Sequence, residues 1–196
     1  MTLQNRVWPD GSLRAHPARG TLFGNRGGRL HDDQRRLGTA RWRSRQWIVC
    51  VLDFKGRQRR VMGPGYTELF FLDEPTALAA GHRPCFECRH AAAMAFAHAF
   101  PSPGRSRAPD MDRVLHRQRL GPRRQAAFGD LPVGAMATDG TAIWARHASG
   151  ALLWRPEGYR PAPAPRGKLA LLTPQATCAA LNAGYAPVWH PSAPDC

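Results

Sequence analysis

Apolar positions along the chain are clustered in short runs, and their spacing predicts short elements rather than long ones. The first 45 residues show almost no periodicity. They read as irregular structure, with a turn at Gly27-Gly28 and a short helix over residues 31–37. Residues 47–52, Trp-Ile-Val-Cys-Val-Leu, are a continuous apolar run of the length expected for a strand buried on both faces. Lys55-Gly56-Arg57 predicts a turn, and residues 59–62 a returning partner strand. Residues 68–72 give a further strand. Asp73 as N-cap, Pro75 in the first turn and Gly81 at the end then frame a helix. An alanine-rich helix is expected over residues 89–99, stopped by Pro101 and Pro103. Residues 101–125 are polar, with room for a short helix around Val114 and Leu115. Stretches 133–137, 141–147 and 151–154 predict a three-stranded meander, turned at Asp139-Gly140 and Ser149-Gly150. A proline-rich connection at 161–165, a strand at 169–172 and a helix from Thr173-Pro174 to Gly184 complete the chain. The expected class is α+β: small mixed or antiparallel sheets with short helices, in a lobe over residues 1–128 and a C-terminal meander-plus-helix lobe over residues 129–196.

Charge changes this picture from one of fold to one of partner. The formal net charge is +14, and residues 1–125 carry 23 arginines and lysines against 10 acidic residues. Residues 126–196 carry 5 against 4. A GC-rich coding sequence explains arginine over lysine, but not the shortage of acids or the asymmetry. A one-sided basic field concentrates phosphate and supplies the salt-dependent part of nucleic-acid affinity. Nucleic acid is therefore the expected partner. No apolar run approaches the roughly 20 residues of a membrane helix, and the first residues lack an apolar signal core. A cytoplasmic protein without membrane contact is expected. Five cysteines, irregularly spaced, do not make a disulfide framework.

Cys85-x-x-Cys88 has the spacing at which two thiolates meet one zinc in a tight turn. A redox pair is the rival reading, but such a pair opens a helix after a strand in a βαβ unit, whereas this one is expected between two helices. Zinc needs further ligands, and Cys50 is the first candidate, ahead of His31, His82 and His90. The segment Ala77-Leu78-Ala79-Ala80-Gly81-His82-Arg83-Pro84-Cys85-Phe86-Glu87-Cys88-Arg89 resembles the zinc-binding domain of Ada-type methylphosphotriester DNA-repair proteins, the likeness covering residues 72–89. The resemblance implies a zinc knuckle whose flanking Arg83 and Arg89 lie against the DNA backbone. That family's upstream cysteine pair, which contains the methyl acceptor, is not matched: Cys50 stands alone upstream. The resemblance thus implies a DNA-binding metal module in repair or processing more than it implies methyl transfer.

Two other constellations carry chemistry. Asp53-Phe54-Lys55 ends the apolar run, and an Asp-x-Lys at a strand end is how PD-(D/E)xK nucleases place a Mg²⁺ ligand and a catalytic lysine. Asp32 or Asp33 would supply the second carboxylate. A Mg²⁺-dependent nuclease using Asp53 and Lys55 is accordingly an alternative function, and a non-enzymatic regulatory or scaffold protein is another. Arg41-Trp42-Arg43-Ser44-Arg45-Gln46-Trp47 alternates cations with aromatic planes, as single-stranded nucleic-acid sites do. Arg117, Arg119, Arg123 and Arg124 are expected to meet phosphates or solvent.

Overall fold

The computed structural model describes residues 2–58, 60–102 and 106–195. Among these residues the chain forms two six-stranded sheets and four short α-helices, an α+β architecture. The first sheet contains β1 (Gln4–Val7), β2 (Leu13–Ala15), β3 (Leu22–Asn25), β4 (Ile48–Val51), β5 (Leu69–Phe71) and β6 (Arg83–Pro84). Their spatial order is β2-β1-β5-β3-β4-β6. The β1–β5 and β4–β6 pairs are parallel and the rest antiparallel, so the sheet is mixed. β3 is buried along its whole length. A Cβ on Gly24 would lie 1.9 Å from the Ile48 carbonyl oxygen, so only glycine lets β3 and β4 approach this closely.

The apolar run around Cys50 is a strand, but its partners are β3 and β6, not the segment after the Lys55-Gly56 turn. Residues 60–62 make a turn with Met62 in the left-handed region; Arg59 lies outside the described residues. The helix expected over residues 31–37 is a closed loop instead. A bridge joins His31 to Leu37, the Asp32 carboxylate accepts the Arg36 amide at 2.9 Å, and Arg35 has φ 60. A short acidic side chain offered the backbone a local partner that competes with helix.

α1 (Glu74–Ala79) begins as its sequence dictates. Asp73 accepts the Thr76 amide at 3.0 Å, and Gly81 (φ +82) reverses the chain just past its end. α2 (His90–Ala99) follows. α3 (Ala108–Leu120) is longer than the short helix expected, because Met111 and Leu115 bury on one face while Arg113 and Arg117 stand exposed. β7 (Gln125–Ala127), β8 (Met136–Thr138), β9 (Ile143–His147), β10 (Gly150–Arg155), β11 (Gly158–Ala162) and β12 (Lys168–Leu171) build the second sheet, in the order β11-β10-β9-β8-β12-β7, with every pair antiparallel. The predicted meander is β8 to β10. It continues into β11, an edge strand, which is where a ladder tolerates Pro161. α4 (Gln175–Asn182) completes the fold.

Apolar clusters cross between the two sheets. Leu78, Phe96, Met111 and Leu115 pack with Ala135 and Leu169, while Trp8, Leu72 and Ala79 pack with Met136, Leu152 and Trp154. The start of α1 is the polar hub of this core. Asp73 accepts bonds from the Tyr159 hydroxyl (3.0 Å) and the His190 amide (3.1 Å). Glu74 accepts from Arg89, the Tyr185 hydroxyl (2.5 Å) and the Val188 amide (2.9 Å). Two adjacent acids thereby fasten the C-terminal segment to the first sheet. Among the described residues no helix is long and apolar enough to cross a membrane.

Candidate functional site

Cys50 faces its partners because of strand pairing. β6 runs parallel to β4, with Val49 opposite Pro84, and the Cys85 amide donates to the Val49 carbonyl at 3.0 Å. The chain then turns at once: the Glu87 amide points at the Cys85 sulfur (3.4 Å) and the Arg89 amide reaches the Cys85 carbonyl (3.0 Å). The Sγ atoms of Cys50, Cys85 and Cys88 come within 4.8 Å of one another, the one group of three His, Cys, Asp or Glu side chains among the described residues that could hold a metal ion. Thiolates on a tetrahedral zinc lie about 3.8 Å apart, given Zn–S bonds of about 2.3 Å, so the trio fits that ion as three of its four ligands. The Cys50 hydrogen bond, with those of the Cys88 and Glu87 amides, draws the Cys85 thiol down to about 5; Cys50, holding the shared proton, is pushed up. The three cysteines line a cavity of about 210 Å³ with Asn25, Arg57 and Tyr66. None of the candidate histidines joins them. His31 bonds to Thr67 and Gly63, His82 packs on Trp47 and Phe71, and His90 bonds to the Phe86 carbonyl.

The second feature is a cavity of about 770 Å³ between the first sheet, the end of α3 and the start of α4. Among the described residues six arginines line it, Arg26, Arg41, Arg117, Arg119, Arg123 and Arg124, against Asp10 as the one lining acid. Its inner wall is a stack. The Trp47 ring has the Arg26 and Arg119 guanidinium carbons each 3.8 Å from its centre. Trp47 is 4 % exposed and Arg26 1 %. Arg26 donates to the Gly11 carbonyl (2.9 Å), and Arg119 to the Gly81 and Arg45 carbonyls (2.8 and 2.7 Å). No carboxylate pairs with either in the described residues. The Arg119 Nε is buried with no partner. Burial brings both guanidiniums down to about 9, so both stay charged at neutral pH. Burial, then Arg26 and Arg119, hold His82 well below its ordinary value and hence neutral. Glycine is required at position 81: a Cβ there would lie 2.7 Å from the Arg119 side chain.

No family model, curated protein or solved structure matches this chain.

The sequence-derived arginines divide three ways. Arg41, Arg117 and Arg119 line the large cavity. Arg43 and Arg45 are exposed on the same loop, Arg43 donating to the Arg29 carbonyl (2.8 Å). Arg83 and Arg89, expected on the DNA backbone, are internal. Arg83 is 1 % exposed and makes two bonds of 2.8 Å to Asp112; the Arg89 side chain is 7 % exposed and grips Glu74 at 2.7 and 2.8 Å. Their charges are already neutralised by buried acids, so neither is free to meet phosphate. Trp47 is not available as a stacking platform, since it is buried with two guanidiniums already against its ring; Trp42 is 38 % exposed. Asp53 and Lys55 stand exposed on the turn after β4, with Lys55 at φ 55. Asp32 is held by Arg36 and Asp33 by Arg29, and these carboxylates do not gather with Asp53 into a three-ligand group. Arg26 escaped the sequence reading. Its one signal, a cation directly after the apolar strand β3, does not distinguish an exposed arginine from a buried one.

Proposed function

We propose that this chain is a zinc-binding, nucleic-acid-binding protein that acts on DNA in repair or processing. The observation that carries the reading is the convergence of six guanidiniums on one cavity whose lining, among the described residues, holds a single carboxylate. Surface arginines scatter when they serve only solubility. Here they come from β3's end, the 41–47 loop, α3 and the turn after it, and their fields add in one concavity. Phosphate is the abundant cellular group that answers this charge, and the half-exposed Trp42 at the rim offers a base a plane to stack on.

Cys50, Cys85 and Cys88 would hold the zinc, whose chemistry here is to bind three thiolates and add folding free energy. The Ada resemblance supports Cys85 and Cys88 as two of these ligands. The metal trio and the cavity share one strand pair. Trp47 immediately precedes β4 and His82 immediately precedes β6, and the Arg83 amide donates to the Trp47 carbonyl at 3.1 Å. Cys50 is three residues further on, about 10 Å along the strand. A metal clip at that end fixes the β4–β6 pairing on which the cavity's inner wall is mounted.

Arg117, Arg123 and Arg124 are exposed, so replacing all three by Gln preserves the fold. That variant should bind a single-stranded oligonucleotide at least tenfold more weakly than wild type by fluorescence anisotropy. Undiminished binding would remove the cavity from the reading.

A further inference from the structure

Concavity and burial narrow the ligand further, on the footing that nucleic acid is the partner. We propose that the arginine cavity receives the phosphorylated end of a nucleic-acid strand: a terminal phosphomonoester at the inner wall, with the terminal base against Trp42.

Size excludes the side of a duplex. A volume of about 770 Å³ is that of a cube about 9 Å on edge, whereas the major groove alone is about 12 Å wide. A helix could touch the exposed arginines at the mouth but could not enter. A single nucleotide can, since cavities of roughly 300–1,000 Å³ enclose ligands of that size.

Charge selects the end of the strand over its middle. Arg26, buried, and Arg119, half-buried, sit at the inner wall with no carboxylate in hydrogen-bond contact among the described residues; Asp10 and Asp112 act on them only from further off, and a cation taken out of water without a close counter-charge is costly. An anion entering the cavity offsets that cost where a neutral group would not. An internal phosphodiester brings one negative charge; a terminal phosphomonoester brings about −1.5 to −2 at neutral pH and a third strongly accepting oxygen. Among the described residues the Arg119 Nε has no hydrogen-bond partner. The mouth then suits the next, singly charged links: Arg41, Arg117, Arg123 and Arg124 are all exposed around it. The start of α4 also opens here through Thr173, Pro174 and Gln175, adding the positive end of a helix dipole. Double charge inside and single charges outside match a phosphorylated strand end.

Anisotropy on labelled 12-mer single strands tests this, comparing 5′-phosphate, 3′-phosphate and hydroxyl-only versions, with unlabelled nucleoside monophosphate as competitor. One phosphorylated end should bind about tenfold or more tighter than the hydroxyl-only strand. Arg119→Gln should abolish that preference while leaving measurable binding. Equal affinity for all three strands would overturn the terminal-phosphate assignment yet leave nucleic-acid binding standing. Binding of no strand would overturn the underlying reading as well. A nucleoside monophosphate that competes as well as the phosphorylated strand would overturn the strand-end assignment in favour of a free nucleotide.

Discussion

Burying an arginine is costly unless a carboxylate meets it in good geometry, and Arg83 meets Asp112 through two bonds of 2.8 Å. Removing one partner should therefore be far worse than replacing both by apolar residues of similar volume. Asp112→Ala is expected to destabilise the fold by about 3–5 kcal/mol, read as a shifted urea midpoint. A loss under about 1 kcal/mol would mean that Arg83 relaxes to solvent. Asp73 gives a prediction with a pH signature. Burial raises its carboxyl from the ordinary value to about 6, against the opposing pull of Thr76, His190 and Tyr159. A raised acid binds its proton more tightly folded than unfolded, so stability falls as pH rises through that window. Wild type should lose stability relative to Asp73→Asn between about pH 4 and pH 6, and denaturation at both pH values would show it; a difference independent of pH would contradict it. These residues also mark the limit of what a sequence discloses. Arg83 and Arg41 are the same amino acid, both in the basic first two-thirds of the chain. One is internal because an acid 29 positions away arrives beside it, and nothing local to Arg83 announces that.

Among the elements, local chemistry was legible wherever it was decisive. The α1 cap, Gly81, the apolar run of β4 and the β8–β10 meander were all readable, because a capping side chain, a positive φ or an apolar stretch states its own outcome. β1 and β2 were not: they are three or four residues long, and carry Gln, Asn and Arg that reveal no face. The partner of β4 was also hidden, since parallel pairing with the two-residue β6 is a tertiary contact. That pairing is what completes the metal trio, so the Cys-x-x-Cys was readable and its third ligand was a choice among four. Zinc binding should accordingly depend on Cys50 as strongly as on the knuckle. Purified protein should carry about one zinc, and Cys50→Ser should lose it to the same degree as Cys85→Ser, by elemental analysis. Chelation should lower the melting temperature of wild type and leave the Cys50→Ser protein unmoved. Full zinc occupancy in Cys50→Ser would place the third ligand elsewhere.

For the whole molecule, charge asymmetry foretold a basic surface but not its shape. The arginines of residues 1–125 partition into internal braces, scattered surface cations and the six of the cavity. Only the last should govern binding. Each phosphate neutralised on a single strand releases about 0.7 counterions. Four exposed arginines, Arg41, Arg117, Arg123 and Arg124, then give a slope of log affinity against log salt of about −3. The decisive measurement is that slope, for wild type, for the Arg117→Gln, Arg123→Gln, Arg124→Gln variant, and for a variant lacking Arg155 and Arg160 on the far strands. Slopes of about −3, about −1 and about −3 are expected, in that order. A wild-type slope near zero, or one that survives loss of the cavity arginines, would contradict the account.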